Sequence, residues 1–383
     1  MAKTSRNFVG VYLGGKADEV DAAVVKVSGA DEAISVRQTH CLQRPLPEAL
    51  SAHLRSAGTG WAMSASDLAR MDCDGGEALA DAAEAVMKAA RVTARRVAGV
   101  GVIGRTLGFA GPGGSAKRGA AVEIGSPAIV AQRVGAVTAA DFASTDLAAG
   151  GLGSPVWAWP DWLMFRDKRL SRVVVHLGSV ATITFIGSAA AASDVVAYDT
   201  GPGTVLIDYL ARQLFERDLD ADGAIAARHQ PSEALLNELL AGEHFHRPPP
   251  KRTLPADWLG AAAQRLEMMA GKHRCQAGEL LATVCELTAR TVASDVLGLT
   301  ERPHEVILTG GGAMNIHLAG RIRTLLSPCS TYTSERYGLG LRAHGAAAAA
   351  VLAAARIDGY PAHCHNATGA RQPRVLGSLW GVI

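Results

Sequence analysis

The sequence has no C-x-x-C pair. Its six cysteines, Cys41, Cys73, Cys275, Cys285, Cys329 and Cys364, stand singly, which excludes a dithiol redox motif and a zinc knuckle at that spacing. Scattered thiols suit a reducing compartment. His363-Cys364-His365 could clip a metal, but no second cluster stands at ligand spacing, so a loop is expected. An excess of one charge is also missing. Lys and Arg number 38 against 36 Asp and Glu, and the arginines are scattered rather than striped. No nucleic-acid or anionic-membrane surface is implied. The longest apolar run, residues 346–355, is half of the roughly 20 residues that a membrane span needs. Polar Lys16, Asp18 and Glu19 arrive before any apolar h-region, so no secretory signal is read. A cytoplasmic protein with neither membrane nor nucleic-acid partner is expected.

What is present is a globular balance, 48% apolar and 19% charged, in 383 residues. That length suffices for two or three domains and a large core. Phe8-Val9-Gly10-Val11-Tyr12-Leu13 and residues 20–27 read as two strands around a Gly14-Gly15 turn. Residues 172–186 repeat that design around Gly178-Ser179, so two similar lobes are expected. Ser64 with Asp67 three residues on is a capping box that opens a helix. Residues 97–103 read as a strand, 108–119 as a glycine-rich loop, and 148–155 as a second glycine-rich break. The lobe boundary is placed there: 1–150, with 357–383 returning to it, and 151–356. Trp157, Trp159 and Trp162 read as a packed joint below the break. A helix from about Gly278 closes at Gly298; a strand over 305–309 ends in Gly310-Gly311-Gly312; a helix follows from His317; and residues 341–356 form an alanine-rich helix.

Four small-residue turns therefore sit at strand ends: Gly14-Gly15, Gly178-Ser179, Asp199-Thr200-Gly201-Pro202-Gly203 and Gly310-Gly311-Gly312. Bare amides at such turns bind phosphate oxygens, and four of them suggest a nucleotide clamped between lobes. Asp199 is expected on a sharp strand-to-helix turn; taken by itself, that turn favours reading Asp199 as a helix N-cap, and the other glycine turns change this. Gly10 to Gly15-Lys16 has the spacing of a Walker A loop, but Ala17 stands where Ser or Thr would hold magnesium. An unrelated P-loop NTPase is excluded if residues 20–27 form a strand.

Taken in order, these features resemble the sugar kinase and actin-like ATPase superfamily, and within it the anhydro-N-acetylmuramic acid kinases. The carriers are Asp199-Thr200-Gly201-Pro202-Gly203, Asp141-Phe142 with residues 146–155, Leu308-Thr309-Gly310-Gly311-Gly312, Asn366-Ala367-Thr368-Gly369-Ala370 and Val375-Leu376-Gly377. The departures are specific. The family's Met-Ser-Gly-Thr-Ser-x-Asp-Gly-x-Asp reads Tyr12-Leu13-Gly14-Gly15-Lys16-Ala17-Asp18-Glu19-Val20-Asp21, without the hydroxyls. Its His-Gly-Gln-Thr is Ile103-Gly104-Arg105-Thr106. Its arginines after Asp-Phe are Ala143-Ser144-Thr145, its Asn-Ile-Gly-Gly is His176-Leu177-Gly178-Ser179, and an acidic residue before the alanine-rich helix is Gly345.

The resemblance implies an α/β, two-lobed actin-like fold with duplicated mixed-sheet lobes around a cleft. It implies an ATP- and Mg²⁺-dependent kinase that hydrolyses the anhydro bond of 1,6-anhydro-N-acetylmuramic acid or a related anhydro amino sugar. O6 is then phosphorylated, in cell-wall recycling. Asp199 would be the general base. Gly14, Gly15, Lys16, Asp18, Asp21, Gly178, Gly201, Gly203, Gly310, Gly311 and Gly312 would face the nucleotide, with Asp18 toward the metal. Thr106 and Asp146 would touch the sugar, and a homodimer is expected. Because each lost polar residue removes a ligand contact, a paralogue that binds sugar or nucleotide without turnover is the alternative.

Overall fold

The computed structural model describes residues 5–29, 33–57, 63–113 and 117–381. Thirteen strands occur among them: β1 (Ser5–Leu13), β2 (Glu19–Ser28), β3 (Ser35–Pro45), β4 (Val97–Ile103), β5 (Arg105–Ala110), β6 (Ala120–Ile124), β7 (Thr138–Ala140), β8 (Arg172–Leu177), β9 (Val180–Ile186), β10 (Val196–Pro202), β11 (Glu305–Thr309), β12 (Ser330–Thr333) and β13 (Ser378–Trp380). Six form one sheet in the order β13-β7-β4-β1-β2-β3, five a second in the order β10-β9-β8-β11-β12, and β5 pairs with β6.

The two large sheets share one wiring. In the first, β1, β2 and β3 form an antiparallel meander, and β4 and β7 extend it in parallel beyond β1. In the second, β8, β9 and β10 form the meander, and β11 and β12 extend it in parallel beyond β8. The duplicated hairpins expected from sequence thus begin two copies of the same mixed sheet. Because residues 20–27 lie inside β2, the P-loop reading is excluded.

Alternation along β1 explains how its sheet is buried on both faces. Val9, Val11 and Leu13 pack with Leu79, Ala82 and Val86 of the helix Ala65–Ala89, which Ser64 and Asp67 open as a complete capping box. The opposite face carries Gly10, which pairs in register with Gly101 of β4. A Cβ on Gly10 would collide with the Ala346 carbonyl, and one on Gly101 with that of Ala349. Glycine in these strands lets the helix His344–Ile357 lie directly on the sheet backbone. The buried alanines of that helix cluster with Phe8 and Ala23 of the first sheet and with Val174 and Ile307 of the second. It is a shared spine between the two sheets.

Several expectations shift. Part of the loop expected over 108–119 is strand, because β5 runs to Ala110 and β6 starts at Ala120; residues 114–116 lie outside those described. Trp159 and Trp162 are core, as expected of a packed joint, whereas Trp157 borders a cavity. The C-terminal strand β13 joins the first sheet through β7. No helix among the described residues is long and apolar enough to cross a membrane.

Candidate active site

Two cavities meet between the sheets. The first, about 120 Å³, has Arg105, Thr106, Glu123, Asp199, Arg252 and Thr253 in its wall. The second, about 300 Å³, is walled by Gly14, Lys16, Asp18, Asp21, Asp208 and the triplet Gly310, Gly311 and Gly312. Tyr12, Gly15, His176, Gly178 and Ser179 border both. Residues from β1 and its turn thus face residues from β8 and its turn across one doorway.

Asp199 is not on a strand-to-helix turn. Strand β10 continues to Pro202, held by its pairing with β9, and the following helix starts only after Thr204. This removes the N-cap reading of Asp199. Its side chain is buried, with Oδ1 accepting from Thr182 Oγ1 at 3.0 Å and Oδ2 from the Thr253 backbone N–H at 2.9 Å. Burial raises its pKa to about 6, opposed by those two hydrogen bonds and by the Arg252 and Lys251 charges. A carboxylate poised near neutrality at a cavity wall is suited to accepting a proton.

The glycines of the Asp199 segment border neither cavity and do a different job from the one expected. A Cβ on Gly203 would strike the Gly178 carbonyl, while Gly203 N–H donates to Ser179 O and Thr204 N–H to Gly178 O, each at 2.9 Å. Gly201 has φ +151°, and a Cβ there would lie 2.7 Å from the Phe245 ring. Both are packing glycines: Gly203 brings the end of β10 against the β8–β9 turn, and Gly201 makes room for the Phe245 ring.

Asp146 is also placed differently. It borders neither cavity; Oδ2 accepts from Gly153 N–H at 2.6 Å, and Oδ1 bonds with Thr368 Oγ1 at 2.5 Å and His363 Nε2 at 2.6 Å. Arg374 N–H reaches the other ring nitrogen of His363. Asp146 therefore ties the glycine-rich break to the C-terminal segment, and its acceptors are used inside the protein. Thr106 does border the first cavity, 3.5 Å from Arg252 Nη2.

The second cavity joins the remaining predicted residues: Gly14, Gly15, Lys16, Asp18, Asp21, Gly178, Gly310, Gly311 and Gly312. Gly310 has φ +86°, and a Cβ there would lie 2.6 Å from the Leu177 carbonyl oxygen, so only glycine fits; a Cβ on Gly311 meets open space. Lys16 Nζ pairs with Asp18 Oδ2 at 2.7 Å. Asp18 Oδ1 is buried without a hydrogen-bond partner; so is Asp21 Oδ1, which Arg342 Nη2 approaches only to 3.5 Å. Burial lifts the Asp21 pKa to about 7. Among the described residues no three His, Cys, Asp or Glu side chains cluster as a metal cage. One or two carboxylates completed by phosphate oxygens is the usual protein share of a magnesium–nucleotide site, and these two unpartnered oxygens fit that share.

Sequence reasoning missed Lys251, Arg252 and Thr253, which reach Asp199 from 52 to 54 residues downstream. Arg252 donates to Leu152 O at 2.6 Å and lies 4.3 Å over the Phe109 ring. Lys251 is buried against Asp295 at 3.3 Å. The only signal was two adjacent cations after three prolines. Glu123 was missed too: Gly104 N–H donates to it at 2.9 Å, and burial raises it to about 7.

A family model described as anhydro-N-acetylmuramic acid kinase matches residues 6–381. The anhydro-N-acetylmuramic acid kinase of Gloeobacter violaceus is 31% identical over 97% of this chain and 97% of its own. That of Salinibacter ruber is 32% identical over 98% of this chain and 96% of its own. Among solved structures, the activator of the 2-hydroxyisocaproyl-CoA dehydratase from Clostridium difficile with bound ADPNP aligns at 12% identity and a TM-score of 0.45, covering 91% of this chain and 94% of its own.

Proposed function

The chain belongs to the anhydro-N-acetylmuramic acid kinase family, and from that premise we propose that it opens and phosphorylates 1,6-anhydro-N-acetylmuramic acid, or a related anhydro amino sugar, using ATP. The observation that carries the reading is the pair of joined cavities, with a proton-accepting carboxylate in one and a glycine-lined floor in the other.

The sugar takes the first cavity. Asp199 accepts a proton from the water that adds to the anomeric carbon, and its raised pKa suits that exchange near neutrality. Thr182 and Thr253 fix the carboxylate's orientation before substrate arrives. The bond between the anomeric carbon and O6 breaks, and O6 keeps the electron pair. Arg252, braced by Leu152 and Phe109, holds positive charge beside this exchange.

The nucleotide takes the second cavity. Gly311 leaves open space where a side chain would otherwise stand, and Lys16 is a cation at the turn from which the family's hydroxyls are missing. Asp18 and Asp21 would hold magnesium through their unpartnered oxygens. When bound, magnesium neutralises phosphate charge and helps to keep the phosphates in line for transfer. This use of the sugar is the chemistry of cell-wall recycling in a cytoplasm, and the chain is read as cytoplasmic and as a homodimer.

A coupled assay with ATP and the anhydro sugar, with the product's 6-phosphate identified by mass, tests the reading. ADP release that depends on sugar is expected. Nucleotide binding with no phosphorylated sugar across a panel of amino sugars would leave the non-catalytic alternative.

A further inference from the structure

Arg105 is a buried cation with too few partners. The residue is 9% exposed, Nη1 donates to Gly14 O at 3.1 Å, and Nε has no partner. Among the described residues no carboxylate forms an ion pair with it. Burial lowers its pKa, opposed chiefly by the field of Tyr12. A guanidinium carries five N–H donors, so most of its capacity is unspent. Leaving such a charge unpaired is costly unless a ligand completes it.

Its position says which ligand. Arg105 opens β5, at the head of the first cavity's wall, but its Nη1 reaches back to the β1–β2 turn. A Cβ built on Gly15 would lie 3.0 Å from Nη1 and 2.7 Å from Ser179 Oγ. Gly15 and Ser179 border both cavities, so the guanidinium stands at the doorway between them. It is not Asp199's partner: Arg252 and Lys251 supply the charges felt there. A group passing between the two cavities would cross the space beside Gly15 and Ser179, next to the Arg105 guanidinium.

Resting on the kinase reading above, we propose that Arg105 is a catalytic residue that clamps the phosphoryl group in transit. The sugar O6, freed with its electron pair, forms a bond to the terminal phosphorus. The bond from that phosphorus to the bridging oxygen breaks, and its pair leaves with ADP. The proton from the attacking water rests on Asp199 and passes to solvent after product leaves. Arg105 forms no covalent bond; its N–H groups meet the equatorial oxygens, where a planar fork fits better than an ammonium.

The test uses the full chain, Arg105→Gln and Arg105→Lys. Turnover is measured alongside the affinity for ADP with and without aluminium fluoride, in the presence of the anhydro sugar. Arg105→Gln should lower kcat by about 10²–10³-fold, with both KM values within about threefold. It should also abolish the extra affinity that aluminium fluoride confers on ADP, while Arg105→Lys keeps part of both. A raised sugar KM at unchanged kcat would instead make Arg105 a sugar-binding residue and overturn the proposal. So would a folded Arg105→Gln variant that keeps the full extra affinity that aluminium fluoride confers on ADP. If the parent chain makes no product but its fluoride-dependent affinity still falls in Arg105→Gln, the clamp stands and the sugar assignment fails. If the parent turns over and Arg105→Gln matches it, the clamp fails alone.

Discussion

Thr182 and Asp199 are cross-strand partners: β9 and β10 pair them in register, and Thr182 Oγ1 donates to Asp199 Oδ1 at 3.0 Å. The hydrogen bond favours the ionised carboxylate against the burial that raises its pKa to about 6. Thr182→Val removes the donor and keeps the shape. The acid limb of kcat/KM, expected near pH 6 in the parent, should move upward by about one unit. A pH–rate profile whose limb stays put, or moves down, would separate Asp199 from the proton transfer.

Asp199→Asn should lower kcat by about 10²–10⁴-fold while nucleotide affinity holds. It should also stabilise the fold. The folded pKa is raised from 3.8 to about 6, so ionisation of Asp199 weakens the native state. That weakening is absent below the unfolded value, grows as pH rises between the two, and is complete above the folded value. The two-unit shift corresponds to roughly 3 kcal/mol before the altered hydrogen bonds are counted. The gain in Tm over the parent should be largest at pH 7 and vanish near pH 4.

Lys16 lies part-exposed on the second cavity, paired with Asp18 at 2.7 Å. Lys16→Ala should raise the KM for ATP about tenfold through loss of one charged hydrogen bond. Stability should change by less than about 0.5 kcal/mol, since the pair is partly solvated. Unchanged nucleotide affinity, measured by calorimetry, would remove Lys16 from the phosphate site.

Neighbouring glycines should fail in different ways. Gly310→Ala forces an alanine to φ +86°, 2.6 Å from a carbonyl oxygen, and should cost roughly 1–3 kcal/mol of stability. Gly311→Leu grows into open space beside the cavity, so the fold should persist while nucleotide binding is lost. Melting curves with and without ATP distinguish the two; a stable Gly311→Leu variant that still binds ATP would move the nucleotide elsewhere.

Asp146 holds His363, Thr368 and the Gly153 amide, so Asp146→Ala should cost roughly 2–4 kcal/mol by leaving buried donors unpaired. Per folded molecule, the sugar KM should stay within about twofold. A sugar KM that rises tenfold in a stably folded variant would return Asp146 to the substrate.

Hairpins and helices were legible where the signal was local. The strands around Gly14-Gly15 and Gly178-Ser179, the capping box at Ser64 and the close of the long helix at Gly298 all depend on residues a few positions apart. The six glycines among the residues that meet at the second cavity were legible because each glycine turn ends a strand, and the strands bring those ends together; Asp18 and Asp21 were legible only through the family's hairpin motif. The Asp199 segment misled because Gly-Pro-Gly spells a turn, whereas pairing with β9 carries the strand through Pro202. Arg252, Thr253 and Glu123 were hidden because their roles depend on which distant segment faces which wall. Asp146 and Asp199 look alike in sequence. Only the donors around them show that one carboxylate is consumed by the fold while the other faces a cavity.

Where the alanine helix rests on Gly10 and Gly101, main chain touches main chain. A single added methyl on either strand must lift the helix away and disturb the core cluster that the helix shares with Val174 and Ile307 of the second sheet. The molecule can therefore exchange residues around its ligand pockets far more freely than along this spine. Drift in chemistry is expected to be cheap here, and drift in posture dear.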